Sequence, residues 1–427
     1  MREFIKTIQS NLNKKVKGGA LFIAILISII VGILLCMFIL LANYNQRSVT
    51  NLTQSSQLYY NLKSAFEIAQ SDYFTDESNN KWIKNSTNDD SIKIKKTQWG
   101  AYILINAQTK NRHHALYQAG LYGTYMTADS GLVVSDNSRP IGLSGNIVFK
   151  ANCYLPKSGI KPAYIEGQSY IGSAQNSGFI KSSPVSISEI NESVLKKIKE
   201  QKNVSVYTDS SVTNLVTNTN HSFNKKTMLW QTPSVKLSNL NLKNNVKIIC
   251  SGTIEVDNTC FFDNILIVCS KIKFKQGFKG CVHVLASDSI ITEKKCEFQY
   301  PSSFTLLADD NNQTNLRSII LEEDCIFFGG IIAINNSASL NGAKVFVKLN
   351  AKSEVNGFVY SNNYAHIEGK LNATVITNAL LLKTPSAVYE NHILGCEIDP
   401  KKYAPTLAIP LLFKINSKLL CCKKINI

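Results

Sequence analysis

Asp288 and Asp310 are the two residues of this 427-residue chain best placed for chemistry. Each follows a short apolar segment with a small polar ending, "VHVLAS" before Asp288 and "FTLLAD" before Asp310. If such segments stack as neighbouring strands, the two carboxylates stand about 5 Å apart, with Lys271 one segment earlier. Carboxylates at that separation can serve as a glycosidase pair or hold a hard cation. Little else supports the chemistry. No Arg, Tyr or His cluster flanks the pair to position a sugar, and turns collect Asp and Asn for backbone reasons alone. The expectation is therefore two turn residues and no enzyme. His113-His114 reads the same way: an adjacent pair on a strand would point to opposite faces, no third ligand lies nearby, and the expectation is a loop-edge polar pair. GxGxxG, P-loop, HExxH and nucleophile-elbow patterns are absent from the sequence, so no cofactor and no metal is expected. The eleven Cys show no metal-type spacing. Cys250 and Cys269 alternate with Ile and Val, as small buried hydrophobes do.

The element that places everything else is an apolar run. Ala20 to Ala42 carries no charge over 23 residues. As a helix it is about 34 Å long, enough to cross a hydrocarbon core. A signal peptide's apolar region is about 7–15 residues, and no small-x-small cleavage site follows here. Arg2, Lys6, Lys14, Lys15 and Lys17 precede the run and only Arg47 follows closely. The positive-inside rule then puts residues 1–19 in the cytoplasm and the chain after Tyr44 in the periplasm, as a single-pass protein of the cytoplasmic membrane. Leu52, Ser55, Tyr59, Leu62, Phe66, Ala69 and Tyr73 continue at steps of three and four, so an amphipathic extension over 43–74 follows the span at 20–42.

Residues 75–128 then read as a small α+β domain. Ile92-Lys93-Ile94, Ala101–Ile105 and His114–Tyr122 are three strand-like runs, the last two separated by Gln108–Arg112 as in a hairpin. Over residues 14–125 the chain resembles the pilin and pseudopilin group. A basic leader, Gly18-Gly19, an apolar half-helix and an amphipathic half covered by a small sheet carry the likeness. It implies a peptidase cut after Gly19 that would leave Ala20 first. The Glu that the group carries at the fifth mature position is Ala24 here, which makes an uncut anchor the plainer expectation.

The second half repeats. "VKIICS", "ILIVCS", "VHVLAS", "FTLLAD", "GIIAIN", "GFVYS" and "TVITN" end at Ser251, Ser270, Ser287, Asp309, Asn335, Ser361 and Asn378, a period near 20. Between them lie alternating strands such as Ala343, Val345, Val347, Leu349 and Ala351. The fold class expected is mainly β: a transmembrane and amphipathic α-helix, a small antiparallel sheet, then a single-stranded parallel β-helix, or solenoid, whose polar endings align as a corner ladder. "GLVVS" and "NIVFKAN" place first turns at 129–177. Residues 178–245 read as an insertion with a helix over 186–202, Ser186 and Glu189 forming its capping box. The main coil covers 246–385, and 386–427 is a cap with a basic tail. The repeat pattern resembles bactofilin-like scaffolds and pectin-lyase-like coils. The whole chain resembles bacterial membrane-anchored proteins that join such a helix to such a repeat, which implies no activity.

Formal net charge is +16, concentrated at the ends; residues 401–427 hold six lysines and no acid. With the two basic ends on opposite sides of a membrane, nucleic acid is not an expected partner. Membrane lipid is one. Homo- or hetero-assembly through the amphipathic helix or the β-helix ends is another, and an acidic glycan or peptidoglycan a third. Two functions follow: a non-enzymatic anchored envelope protein with a structural or assembly role, minor-pilin-like in form, and alternatively a tethered carbohydrate-binding or carbohydrate-active β-helix.

Overall fold

The computed structural model of the protein describes residues 19–71, 74, 77–84, 90–125, 130–172, 178–202, 211–212, 217–308, 316–336, 344–402, 407–413 and 419–425. Helix α1 (Gly19–Gln70) comes first. Leu, Ile and Ala dominate it, and Ser28, Thr50 and Thr53 turn their hydroxyls back to the carbonyls of Ala24, Gln46 and Val49. Polar residues thus ride the helix without breaking it. α1 is long and apolar enough to cross a membrane, and the side chains of its apolar half are exposed. Its far end is buried through Leu58, Asn61, Leu62, Ala65, Phe66 and Ala69. That stripe corrects the expected face: Leu62, Phe66 and Ala69 belong to it, while Leu52, Ser55 and Tyr59 stay exposed. Tyr73 lies outside the described residues.

β1 (Trp82–Lys84), β2 (Ser91–Trp99), β3 (Tyr102–Lys110) and β4 (Ala115–Thr124) follow as successive antiparallel neighbours. Gly100, at φ +59°, makes the tight β2–β3 turn. Asn111 makes the β3–β4 turn, its Oδ1 accepting the His113 and His114 N–H at 2.9 and 2.7 Å. His113 and His114 therefore sit at the edge of this turn, as a loop-edge polar pair. One face of the sheet takes α1: Ile94, Ile103, Ile105, Ala107 and Tyr122 pack on the helix stripe, with Phe66 stacked on Tyr122 at 5.8 Å. Burying Leu58, Leu62 and Phe66 is worth about 1.5–3 kcal/mol each.

The other face of the sheet packs on a large, mostly parallel strand assembly. Three parallel ladders run through it. In the longest, 246–250 pairs with 265–269, then 282–286, 303–308, 329–335, 357–361 and 373–377. Consecutive partners are 16 to 28 residues apart, as in Val359↔Val375 and Ile331↔Val359. The strands of this ladder read as unbroken apolar runs because both sides are covered. Ile265, Ile267, Val282, Val284, Phe304 and Ile331 fill the interior of the assembly. Leu266, Val268, Leu285, Leu307, Ile332 and Phe358 face the antiparallel sheet. Strands such as Thr253–Val256, with one face wet, alternate instead.

The order of the ladder corrects the expected organisation. Strand 375–377 pairs with 132–134, which pairs in turn with 152–154 and then with 180–182. The early segments stack beyond the late ones. Residues 178–245 are accordingly no insertion between adjacent turns. Their described strands belong to both ends of the assembly: 180–182 lies at one end, and 218–221, 228–232 and 235–237 open the other. The helix in this stretch, α2 (Glu192–Glu200), is capped by Asn191, whose Oδ1 accepts the Ser193 N–H at 3.0 Å, and not by Ser186. The C-terminal region is not an end cap either. Val388–Glu390, His392–Leu394 and Cys396–Ile398 extend the assembly. Ala408, Ile409 and Leu412 are buried, Ile409 and Leu412 between the sheet and the ladder, and Leu419–Ile425 pairs antiparallel with β4.

Candidate functional site

The residues singled out by the sequence do not form a reaction centre. Asp309 and Asp310 lie outside the described residues. Asp288 faces solvent in part, with Lys271 Nζ 3.4 Å from its carboxylate. The pair belongs to a surface series with Lys273–Glu293, Lys275–Glu255 and Lys279–Glu297, each worth well under about 1 kcal/mol when so exposed. Gly19 and Ala20 are the first two residues of α1, both exposed.

The expected corner residues do not share one register, and a hydrogen-bonded column forms over only part of the stack. Ser251 and Ser270 each follow by two residues the pair Ile249↔Val268, as aligned, but Ala286 lies opposite Leu306, so Ser287 is in register with Leu307, two residues short of the expected partner. Ser361 lies opposite Ala333 and Thr377, and is buried with its hydroxyl donating to the Tyr364 carbonyl at 2.9 Å. Asn362 takes the expected place. Its Oδ1 accepts the Asn335 N–H at 2.7 Å and its Nδ2 donates to the Asn335 carbonyl at 2.8 Å. Asn378 Nδ2 donates to the Asn362 carbonyl at 2.6 Å, and Ser135 Oγ donates to Asn378 Oδ1 at 2.8 Å. This column satisfies the backbone where the chain leaves each strand.

A second column went unread in the sequence. Cys260, Phe278, Cys296, Cys325 and Ser353 precede residues that pair in one ladder, 261, 279, 297, 326 and 354, and all five are buried. Left-handed residues Gly277, Lys295, Asp324 and Lys352 come just before four of them. The legible signal was an acid three residues before the Cys: Asp257, Glu293 and Glu322.

A substantial cleft lies elsewhere, between the antiparallel sheet, α2 and the opening strands of the assembly. Its volume is about 620 Å³. β2 and β3 contribute Lys95, Lys96, Gln98 and Asn106; α2 contributes Lys197 and Glu200; the segment before Met228 contributes Phe223, Lys225 and Lys226. Positioning is specific. The Trp99 indole N–H donates to the Asn264 carbonyl at 2.8 Å, and its ring meets Phe223 edge-on at 5.1 Å. Gln201, just after α2, clamps the β2–β3 turn: Oε1 accepts the Gly100 N–H at 2.8 Å and Nε2 donates to the Gly100 carbonyl at 2.9 Å. Lys247 Nζ donates to the Gln201 carbonyl at 2.5 Å. Burial drives the Lys247 amine down to about 7 from its ordinary 10.5. Lys96 Nζ reaches the Ala69 carbonyl at 3.2 Å, near the C-terminal end of α1, where a cation suits the exposed carbonyls.

Among the described residues, five lysines and a single acid, Glu200, therefore ring an apolar floor. Asn106 Oδ1, also lining the cleft, is buried without a hydrogen-bond partner. Nothing in the linear sequence marked these residues. Seven Lys-Lys pairs punctuate the chain, and only the fold shows that residues from three of them, 95–96, 196–197 and 225–226, converge. Among the described residues no group of three or more His, Cys, Asp or Glu could hold a metal ion. Compared with family models, curated proteins and solved structures, the chain matches none.

Proposed function

We propose that this chain is a non-enzymatic, single-pass protein of the cytoplasmic membrane, with its N-terminus inside and a parallel β-helix held outside in a structural or assembly role. The observation that carries the reading is the continuity of α1. One helix runs from an exposed apolar half into the core that binds it to the antiparallel sheet. A span joined to its domain without a linker holds that domain at a fixed height and orientation, which an assembly component uses and a diffusing enzyme does not need. The β-helix reading is supported by three parallel ladders and by inward columns shared between successive segments. The stack's two ends differ, and the assembly role is assigned to the apolar one, which carries Phe179, Ile171 and Tyr164 exposed.

Topology is the test. Cys421 is exposed. In intact spheroplasts a membrane-impermeant maleimide should label Cys421, while a Lys6→Cys variant made in a Cys421→Ser, Cys422→Ser background should label only after permeabilisation. The reverse pattern would overturn the orientation, and mass spectrometry of the mature N-terminus distinguishes a start at Ala20 from an intact leader. A second reading, a tethered carbohydrate binder, is favoured by the lysine-rich cleft.

A further inference from the structure

We infer that the cleft between β2, α2 and Phe223 is a binding site for an anionic, polyhydroxylated oligomer, a chain of sugars or polyols bearing carboxylates or phosphates. The inference rests on the carbohydrate-binding reading and names the ligand class for it. Three observations carry it. Lys95, Lys197, Lys225 and Lys226 are exposed around the opening, Lys96 lies deeper, and among the described residues Glu200 is the only acid lining it. A concave site of one sign concentrates opposite charge. Asn106 Oδ1 is a buried acceptor with no donor. Leaving such an atom unpaired costs about 1–3 kcal/mol, and a ligand hydroxyl removes the cost. The lining includes Trp99, Phe223, Ile103 and Val194, so the site offers apolar surface to sugar C–H faces between its polar contacts.

The position of the cleft selects the source of the anion. Lys96 binds the carbonyl of Ala69 on α1, 27 residues beyond Ala42 at the end of the apolar run. Along a helix that is about 40 Å, several times the screening length of about 8 Å at physiological salt. With α1 upright in a membrane, the lysines stand too far out to meet the headgroups of that bilayer. A volume of about 620 Å³ suits a few linked residues of an oligomer better than a lone inorganic anion.

The experiment is calorimetric titration of the full chain in detergent micelles at low salt. The probes are a uronic-acid hexasaccharide, a glycerol-phosphate hexamer, a neutral glucan hexaose, inorganic phosphate and a short-chain phosphatidylglycerol. The expected result is binding of one or both acidic hexamers, at least tenfold tighter than the other three. The two hexamers separate a carboxylate source from a phosphate source. Lys197→Gln with Lys226→Gln should weaken that binding at least tenfold, and Asn106→Leu should weaken it without lowering the melting temperature or changing the circular dichroism. Equal binding of inorganic phosphate or phosphatidylglycerol would overturn the oligomer as ligand. Glucan binding insensitive to the lysine variants would overturn the cleft as its site while leaving a carbohydrate binder standing. No binding by any probe would overturn both.

Discussion

At the scale of single residues, the chain buries polar groups where they fasten layers together, and one of these gives a pH signature. Lys247 is fully buried, with its amine on the Gln201 carbonyl. Its folded pKa of about 7 lies below the 10.5 of an exposed lysine because burial disfavours the charged form. Between those two values the unfolded chain binds more protons than the folded one, so this residue makes stability rise with pH from about 7 towards 10.5. Below about 7 the cost of burial is present in full. Lys247→Met removes the titration and keeps the length of the side chain. The melting temperature of the native protein should therefore climb relative to the variant between pH 7 and pH 10. Parallel curves would show that Lys247 keeps an ordinary pKa in the fold. His283 has the same sign at lower pH: burial first, then the charge of Lys423, push it down to about 3. Its share of stability is whole above about 6.5 and declines as pH falls towards 3.

At the scale of elements, the legible and illegible parts of the fold separate by how far apart the interacting residues lie. The long apolar helix, the β2–β4 hairpins and the short apolar strands were readable because each is written locally, as length without charge, as alternation, or as an apolar run. Register was not. "FTLLAD" and "VHVLAS" look alike, yet Ala286 pairs with Leu306, and the polar endings slip by two residues. Only contacts in the third dimension fix that slip. Gly329 and Gly357 show how the ladder sets its own register. They sit opposite each other at φ +138° and +133°, and a Cβ on Gly357 would run into the Gly329 carbonyl. Gly357→Ala should therefore cost on the order of 2–4 kcal/mol, through both strain and collision. Chemical denaturation can measure it, with Gly167→Ala as control: that glycine also has positive φ, but its Cβ would meet nothing within 4 Å. A loss at Gly357 no larger than at Gly167 would mean that the strands do not approach as described.

At the scale of the whole molecule, the two ends of the strand assembly are unlike, and that asymmetry bears on what it joins. One end opens with Asn218–His221, a polar strand tied by Asn244 Nδ2 donating to Asn220 Oδ1 at 2.9 Å. A polar outer face is what a finished end of a repeat array needs. The other end closes with Ile160–Pro162, Ile171–Gly172 and Ile180–Ser182, each paired on one side to 141–143, 146–147 and 153–155. Tyr164, Ile171, Phe179, Ile180 and Val185 lie exposed there. Lys161 and Lys181 on these edge strands discourage indiscriminate pairing, but they leave the apolar side chains uncovered. Head-to-tail growth would set this apolar end against the polar strand 218–221, a poor match. Two copies meeting by the same end bury apolar surface against apolar surface and close at a dimer. The full chain in detergent should accordingly sediment as a dimer at micromolar concentration. Phe179→Asp with Val185→Asp should make it a monomer that keeps the native circular dichroism, since both side chains are exposed by more than 70% within their own copy. A native chain that sediments as a monomer, or a double variant that stays dimeric, would remove this end as the interface and leave the assembly role to the exposed stretch of α1.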